Sequence, residues 1–426
     1  MPVFALVDCN NFYASCERVF NPKLENKAIV ILSNNDGCVI SRSNEAKALG
    51  VPMGAPYFEY QKICLDNKVT VLSSNYEYYG DMSNRVMSSL KQLVDDSNVE
   101  VYSIDEAFLN LDKLPEEDLT KYACSIKDKI GMWIGLPVSI GIGPSKTLAK
   151  VANFMAKKSK CGVFNITDEK IRQDTLASLK VGDIWGVGKR IAIHLSKLGI
   201  TTAGCLRDSD PKYIRKIFGV VGERIVRELN GVACFELETN PQDRQNIMTS
   251  RSFGNPVTEL ADLQEAIADY AARACIKMRA QESKAQGINV FVQTNWHKDK
   301  ENFYQKGNNY LFDIPTDDTS LVICKAKEIV KALFKPGLSY KKVGICLLSL
   351  NAKDNCQFSF FNNSVQIIDK AKKSLVMQSL DIINQKMGRG TIFFAAQGTK
   401  KAWAMKRDFK SPHYTTNWKE IPKALT

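Results

Sequence analysis

Three features are scarce or absent in this chain of 426 residues, and each absence removes a class of protein. No run approaches the roughly 20 apolar residues that a membrane-spanning helix needs. The 12 cysteines contain no Cys-x-x-Cys, and the closest two are Cys9 and Cys16. Histidine is nearly missing, with only His194, His297 and His413. Zinc sites want short-spaced Cys and His pairs, so a zinc centre is excluded. The start, Met1 to Asp8, has no basic segment and reaches an acid too soon for a signal peptide. The expectation is a soluble cytoplasmic protein whose scattered cysteines are buried thiols in a reducing compartment.

What is present is ordinary globular composition, 44% hydrophobic and 24% charged. The length exceeds what one core supports, so three or more domains are expected. The net charge of +12 is divided unevenly. Residues 1–150 hold 15 basic and 19 acidic side chains, whereas 151–426 hold 43 and 27. An acidic first third joined to a basic remainder points to a carboxylate site beside a body that grips a polyanion. Chance composition is the alternative.

Residues 1–165 alternate between the two hydrophobic periods. Val3–Val7, Ala28–Leu32, Val69–Leu72 and Val138–Ile142 read as strands. Val99–Ser103 and Ala107–Leu111 read as a hairpin. Helices are predicted over Asn10–Phe20, Asn44–Leu49, Tyr78–Leu93, Glu116–Trp133 and from Ser145. The result is an α/β layout with a β-α-β-β-α-β kernel, interrupted near 21–75. Residues 166–235 are helical with glycine punctuation, and the polar stretch 236–246 reads as a linker. Residues 247–350 return to mixed α/β, with helices over Asp262–Gln281 and Ser320–Leu333 and strands over Ile288–Gln293 and Val343–Leu350. A basic tail occupies 351–426.

Asp8 ends an apolar strand, and Asp105 and Glu106 occupy the turn of the later hairpin. Neighbouring strands of one sheet would bring the three carboxylates together. Unpaired, they repel and are costly to desolvate, so such a cluster wants divalent cations. All-oxygen donors suit Mg²⁺, and a pair of such ions can serve phosphoryl transfer. Asp8 as a helix N-cap and Asp-Glu as a polar turn are the alternatives.

The stretch Asp8-Cys9-Asn10-Asn11-Phe12-Tyr13-Ala14-Ser15-Cys16-Glu17, taken with Ser103-Ile104-Asp105-Glu106-Ala107, resembles the Y-family translesion DNA polymerases. The likeness extends over most of the chain. It implies a multidomain α/β and α+β right-hand polymerase. The palm, ferredoxin-like, would be 1–20 and 76–165, the fingers 21–75, a helix–hairpin–helix thumb 166–235, an α+β little finger 247–350, and a partner-binding tail 351–426. It further implies that Asp8, Asp105 and Glu106, with the Cys9 carbonyl, hold two Mg²⁺. Tyr13 falls at the family's steric gate, which excludes a ribose 2′-hydroxyl, although a plain core aromatic would also fit there. Phe12, Asn44, Lys47 and Lys157 match dNTP-contacting positions. Many members carry an aromatic hydroxyl at the Asn44 position and Arg at the Lys47 position. Lys supplies a point charge instead of a planar fork, and Arg42 is a candidate to compensate.

Ile184-Trp185-Gly186-Val187-Gly188-Lys189-Arg190 reads as a helix–hairpin–helix. Its glycines let backbone N–H groups approach a phosphate, and Lys189 and Arg190 add charge. Phe218-Gly219-Val220-Val221-Gly222 is a weaker second copy. A glycine turn between packed helices is the alternative for both. Arg251, Arg273, Lys277, Arg279, Lys341 and Lys342 are candidates for further DNA contacts. Gln357-Phe358-Ser359-Phe360-Phe361 resembles the bacterial sliding-clamp-binding pentapeptide, with a short strand as the alternative. The expected activity is error-prone DNA synthesis opposite damaged bases in the SOS response. The implied partners are primer–template DNA, dNTPs, a sliding clamp, a dimer of processed UmuD-type accessory protein and the RecA filament. The competing readings are a non-catalytic DNA-binding scaffold and another palm-type nucleotidyl transferase or cyclase.

Overall fold

The apolar run near the N-terminus becomes a strand with all six residues buried, β1 (Phe4–Cys9). This follows from its place in the middle of a sheet covered on both faces. The computed structural model describes residues 2–240, 242–298, 300–352 and 364–421. The chain divides into two compact units, Met1–Pro241 with Asp408–Thr426, and Gln242–Arg407.

In the first unit β1 is followed by α1 (Phe12–Phe20), β2 (Ile29–Leu32), β3 (Val39–Arg42), α2 (Asn44–Ala48), α3 (Tyr57–Asp66), β4 (Thr70–Ser73) and α4 (Tyr76–Val94). Then come β5 (Val99–Val101), β6 (Glu106–Asn110), α5 (Leu119–Ile134), β7 (Val138–Gly143), α6 (Lys146–Ala156) and β8 (Val163–Asn165). The helices α7 (Glu169–Ser178), α8 (Lys189–Lys197), α9 (Ala203–Arg207) and α10 (Pro211–Leu229) complete it.

A five-stranded sheet runs β5-β6-β1-β7-β8. Its first four strands have the ferredoxin-like arrangement expected of the kernel. One face, with Ala5, Val7, Cys9, Ala107 and Leu109, packs on α1, α4 and α5. The other face, with Phe4, Leu6 and Phe108, meets Ala149 of α6. Gly141 permits this: a Cβ there would stand 2.0 Å from the Asn153 backbone nitrogen. The inserted segment forms a three-stranded sheet, β3-β2-β4, with its own small core around Val30, Leu32 and Val39. Helices α7 to α10 share a core with Leu148, Val151 and Ala152 of α6.

The second unit contains β9 (Ile247–Val257), α11 (Leu260–Ala280), β10 (Ser283–Thr294), β11 (Gln305–Thr316), α12 (Thr319–Leu333), β12 (Tyr340–Ala352) and α13 (Ser364–Met387). Its antiparallel sheet runs β11-β10-β12-β9, and α11 and α12 pack with it in one core. Among the described residues every cysteine is a free thiol and no helix is long and apolar enough to cross a membrane. The pentapeptide 357–361 lies outside the described residues.

Candidate active site

The sheet register brings the acids together. Asp8, near the end of β1, pairs with Glu106 at the start of β6, and the Cys9 N–H donates to the Asp105 carbonyl at 2.9 Å. Ser103 shapes the turn that presents Asp105 and Glu106. Its hydroxyl accepts from both of their backbone N–H groups, at 3.2 and 3.0 Å, and donates to Asp105 Oδ1 at 2.7 Å. Serine at such a turn competes for the backbone in this way.

Burial is the main reason the Asp8 carboxyl is pushed up to about 6, and the charges of Glu106 and Asp105 push the same way while Lys157 opposes them. Lys157 Nζ reaches Asp8 Oδ2 at 2.6 Å. Lys150 Nζ reaches both Glu106 oxygens, at 3.1 and 3.2 Å. Two ammonium groups therefore offset the acids here. Among the described residues no group of three His, Cys, Asp or Glu side chains is drawn into a ready metal cage. The Cys9 thiol is buried, and that burial raises it far above a reactive range.

Asn11 sits at φ 50°, immediately before α1, and turns its amide towards α2. Its Nδ2 donates to Asn44 Oδ1 at 3.0 Å, and its Oδ1 accepts from Lys47 Nζ at 2.5 Å. Asn44 and Lys47 thus stand together, as their spacing on one helix turn implies. Burial, then Arg42 and Lys157, lower the Lys47 ammonium, so three cations crowd one region. Arg42 is tied back to the Val51 carbonyl.

Tyr13 is the second residue of α1. Its ring stacks on Tyr79, with centroids 4.5 Å apart and planes 16° apart, and meets Tyr76 edge-on at 6.0 Å. Phe12 is buried, with its ring 5.5 Å from that of Tyr13. Burial pushes the Tyr13 hydroxyl up to about 12, so it stays protonated at neutral pH.

Gly186 has φ 87° and Gly188 caps α8 without a side chain on the cap, leaving the first-turn N–H groups open beside Lys189 and Arg190. Gly219, at φ 71°, breaks α10 in the corresponding way. Trp185 packs edge-on to Tyr102 at 5.8 Å, its Nε1 donating to that hydroxyl at 3.2 Å. Lys150 stands 4.5 Å over the Tyr102 ring and 5.5 Å over Trp185. In the second unit Arg251 lies on edge strand β9 and donates to the Ser250 carbonyl at 2.8 Å. Lys277 is lowered by burial first and then by Arg251, Arg244, Arg389 and Arg273, a cationic face. Arg279 differs from the expected surface contact. It is buried in a bidentate pair with Asp381, at 2.6 and 2.8 Å, and so ties α11 to α13.

Asn11, Ser103 and Lys150 were not singled out by the sequence. Lys150 had a signal: it precedes Lys157 by two helical turns and shares its face.

The impB/mucB/samB family model matches residues 7–153, its C-terminal domain matches 244–360, and a domain of unknown function, DUF4113, matches 375–424. The chain is 41% identical to Protein UmuC of Salmonella typhimurium, covering 98% of this chain and 99% of that one. It is 37% identical to Protein MucB of Escherichia coli, over 99% of each. It is 29% identical to DNA polymerase IV 2 of Bacillus subtilis, over 97% and 98%. Among solved structures, a Y-family DNA polymerase chimera of Dbh and Dpo4 superposes with a TM-score of 0.64 at 22% identity, over 82% of this chain and 99% of that one. These matches, spanning nearly the whole chain, establish that it belongs to the impB/mucB/samB family of UmuC-like Y-family translesion DNA polymerases.

Proposed function

We propose that the chain inserts dNTPs opposite damaged template bases, the primer 3′-hydroxyl attacking the α-phosphorus in line while pyrophosphate leaves. The observation that carries this is the register placing Asp8 opposite Glu106, with Asp105 hydrogen-bonded across to Cys9. Three acids at one sheet end, one of them with its proton affinity raised by burial and by its neighbours, bring together carboxylate oxygens, the donor type that Mg²⁺ prefers. Asp8, Asp105, Glu106 and the Cys9 carbonyl would hold two Mg²⁺. When bound, those ions stabilise charge on the attacking and leaving oxygens.

The remaining roles fall to this chain's own groups. Lys157 and Lys150 offset the charge of Asp8 and Glu106. Lys47, held against Asn11 and Asn44, stands ready for triphosphate oxygens, with Lys157 as the second cation. Phe12 and Tyr13 form the surface against the sugar, and Tyr13 rejects a 2′-hydroxyl. Gly186 and Gly188 open backbone donors to a phosphate, with Lys189 and Arg190 adding charge, and Arg251 is a separate DNA contact on the second unit. These contacts position duplex without reading sequence. The pentapeptide Gln357-Phe358-Ser359-Phe360-Phe361 would dock on a sliding clamp. A processed UmuD-type dimer and the RecA filament are proposed as further partners, with the basic tail carrying the first. A cytoplasmic location accords with these partners. The domain boundaries drawn from the sequence are proposed as palm, fingers, thumb and little finger.

A primer-dependence assay tests this reading. Pyrophosphate release from dNTPs should require a primer–template, and the primer should lengthen opposite an abasic site in the presence of clamp and accessory dimer. Nucleotide turnover without a primer would favour a different palm-type transferase or cyclase. DNA binding with no incorporation under any of these conditions would favour the scaffold reading.

A further inference from the structure

The C-terminal segment reaches the site from the far end of the sequence. Phe409 joins β4, accepting at its carbonyl from the Ser73 N–H at 2.9 Å and donating to the Ser73 hydroxyl at 3.0 Å. Asn75 Nδ2 then donates to the Ser411 hydroxyl at 3.1 Å, the Ser411 carbonyl at 3.3 Å and the Pro412 carbonyl at 3.1 Å. Ser411 Oγ donates in turn to Glu17 Oε1 at 2.8 Å, and Tyr79 donates to the same oxygen at 2.7 Å. Tyr414 stacks on Phe20 with centroids 5.3 Å apart and meets Tyr78 edge-on at the same distance. The segment therefore clamps α1 and α4 together, the two helices whose aromatics surround Tyr13.

Glu17 and Tyr79 are both fully buried. A buried phenol needs a partner, and Glu17 Oε1 is the acceptor that Tyr79 has. The orientation of that carboxylate sets where the Tyr79 hydroxyl lies and therefore how its ring is turned. The Tyr79 ring is the stacked backing of Tyr13. Glu17 Oε2 has no hydrogen-bond partner among the described residues, so the carboxylate is held through Oε1 alone. Its burial raises the proton affinity of Glu17.

We infer that residues 409–414 are a positioning strap for the sugar gate, acting from Ser411 through Glu17 and Tyr79 to fix the ring of Tyr13. The strap falls within the matched domain of unknown function and gives it a task in substrate selection. The inference rests on the reading of Tyr13 as the gate. Steric rejection of a hydroxyl depends steeply on sub-ångström placement, so a loosened Tyr79 admits ribose before it impairs deoxyribose.

The test is single-nucleotide insertion by the full-length chain, with clamp and accessory dimer, comparing kcat/KM for a dNTP and its matching rNTP. Tyr13→Ala is the reference and should raise ribonucleotide use. Ser411→Ala should lower discrimination about tenfold, the scale of one hydrogen bond to a buried charged group, with dNTP insertion within about twofold of wild type. Tyr79→Phe should lower discrimination comparably. The double variant should be no worse than either single one, because both break one chain of contacts. If Tyr13→Ala raises ribonucleotide use while Ser411→Ala and Tyr79→Phe leave the ratio unchanged, the strap is refuted and the gate stands. No change in Tyr13→Ala refutes the gate and the strap with it. A parallel loss of dNTP and rNTP insertion with a lowered Tm shows a purely structural contact and also overturns the inference.

Discussion

Asp105→Asn is expected to reduce primer extension by at least about a thousandfold, with little change in Tm. The substitution keeps the shape of the side chain, and the amide oxygen can still accept from the Ser103 hydroxyl. The charge alone is removed, and charge is what a cation at this site requires. Asp8→Asn should lose extension to a similar degree but behave differently in stability. Asp8 is buried beside two other acids and its carboxyl is already pushed up to about 6. An amide there relieves desolvation and repulsion, while Lys157, with 43% of its side chain exposed, can turn to solvent. Tm should therefore hold or rise. Rapid-quench extension alongside calorimetry separates the two effects, and a variant that still extends the primer would refute the assigned role of its carboxylate.

Glu100→Gln is expected to destabilise the first unit by about 3–5 kcal/mol. The Lys146 side chain is 5% exposed and that of Glu100 9%. Lys146 is paired with Glu100 and also donates to the Glu236 carbonyl at 2.6 Å, while the Glu238 N–H donates to Glu100 at 2.8 Å. The cluster fastens α6 and the segment after α10 to β5. A neutral amide leaves the ammonium buried with a carbonyl as its main partner. Adding Lys146→Met removes the stranded charge and should recover most of the loss. Denaturant midpoints of the single and double variants check this. A single variant as stable as wild type would show that the pair is not needed.

The central strands were legible because both of their faces are covered, which demands an apolar run; β1 and β7 are buried at every position. The two edge strands of the second unit were not. Gln305–Thr316 carries no apolar run because most of its residues face solvent, and Ile247–Val257 contains Gly254 and Pro256, which an edge tolerates. The predicted helix at Asn10 starts at Phe12 because Asn11 takes a left-handed conformation. Within the site, Asp8, Asp105 and Glu106 were readable because acids that end strands or fill a short turn stand out from apolar surroundings. Asn11 and Ser103 act through local backbone geometry that composition does not signal. The contact between Ser411 and Glu17 spans 394 positions, so no local pattern announces it.

The central claim is that these carboxylates support cation-dependent, template-directed insertion. Its most direct test is insertion of one dNTP opposite an abasic site by the wild-type chain across a series of Mg²⁺ concentrations, with clamp, accessory dimer and RecA filament present. Insertion should rise with Mg²⁺, saturate, and vanish when the metal is chelated. Insertion that persists in chelator, or none at any Mg²⁺ concentration with every partner supplied, would contradict it.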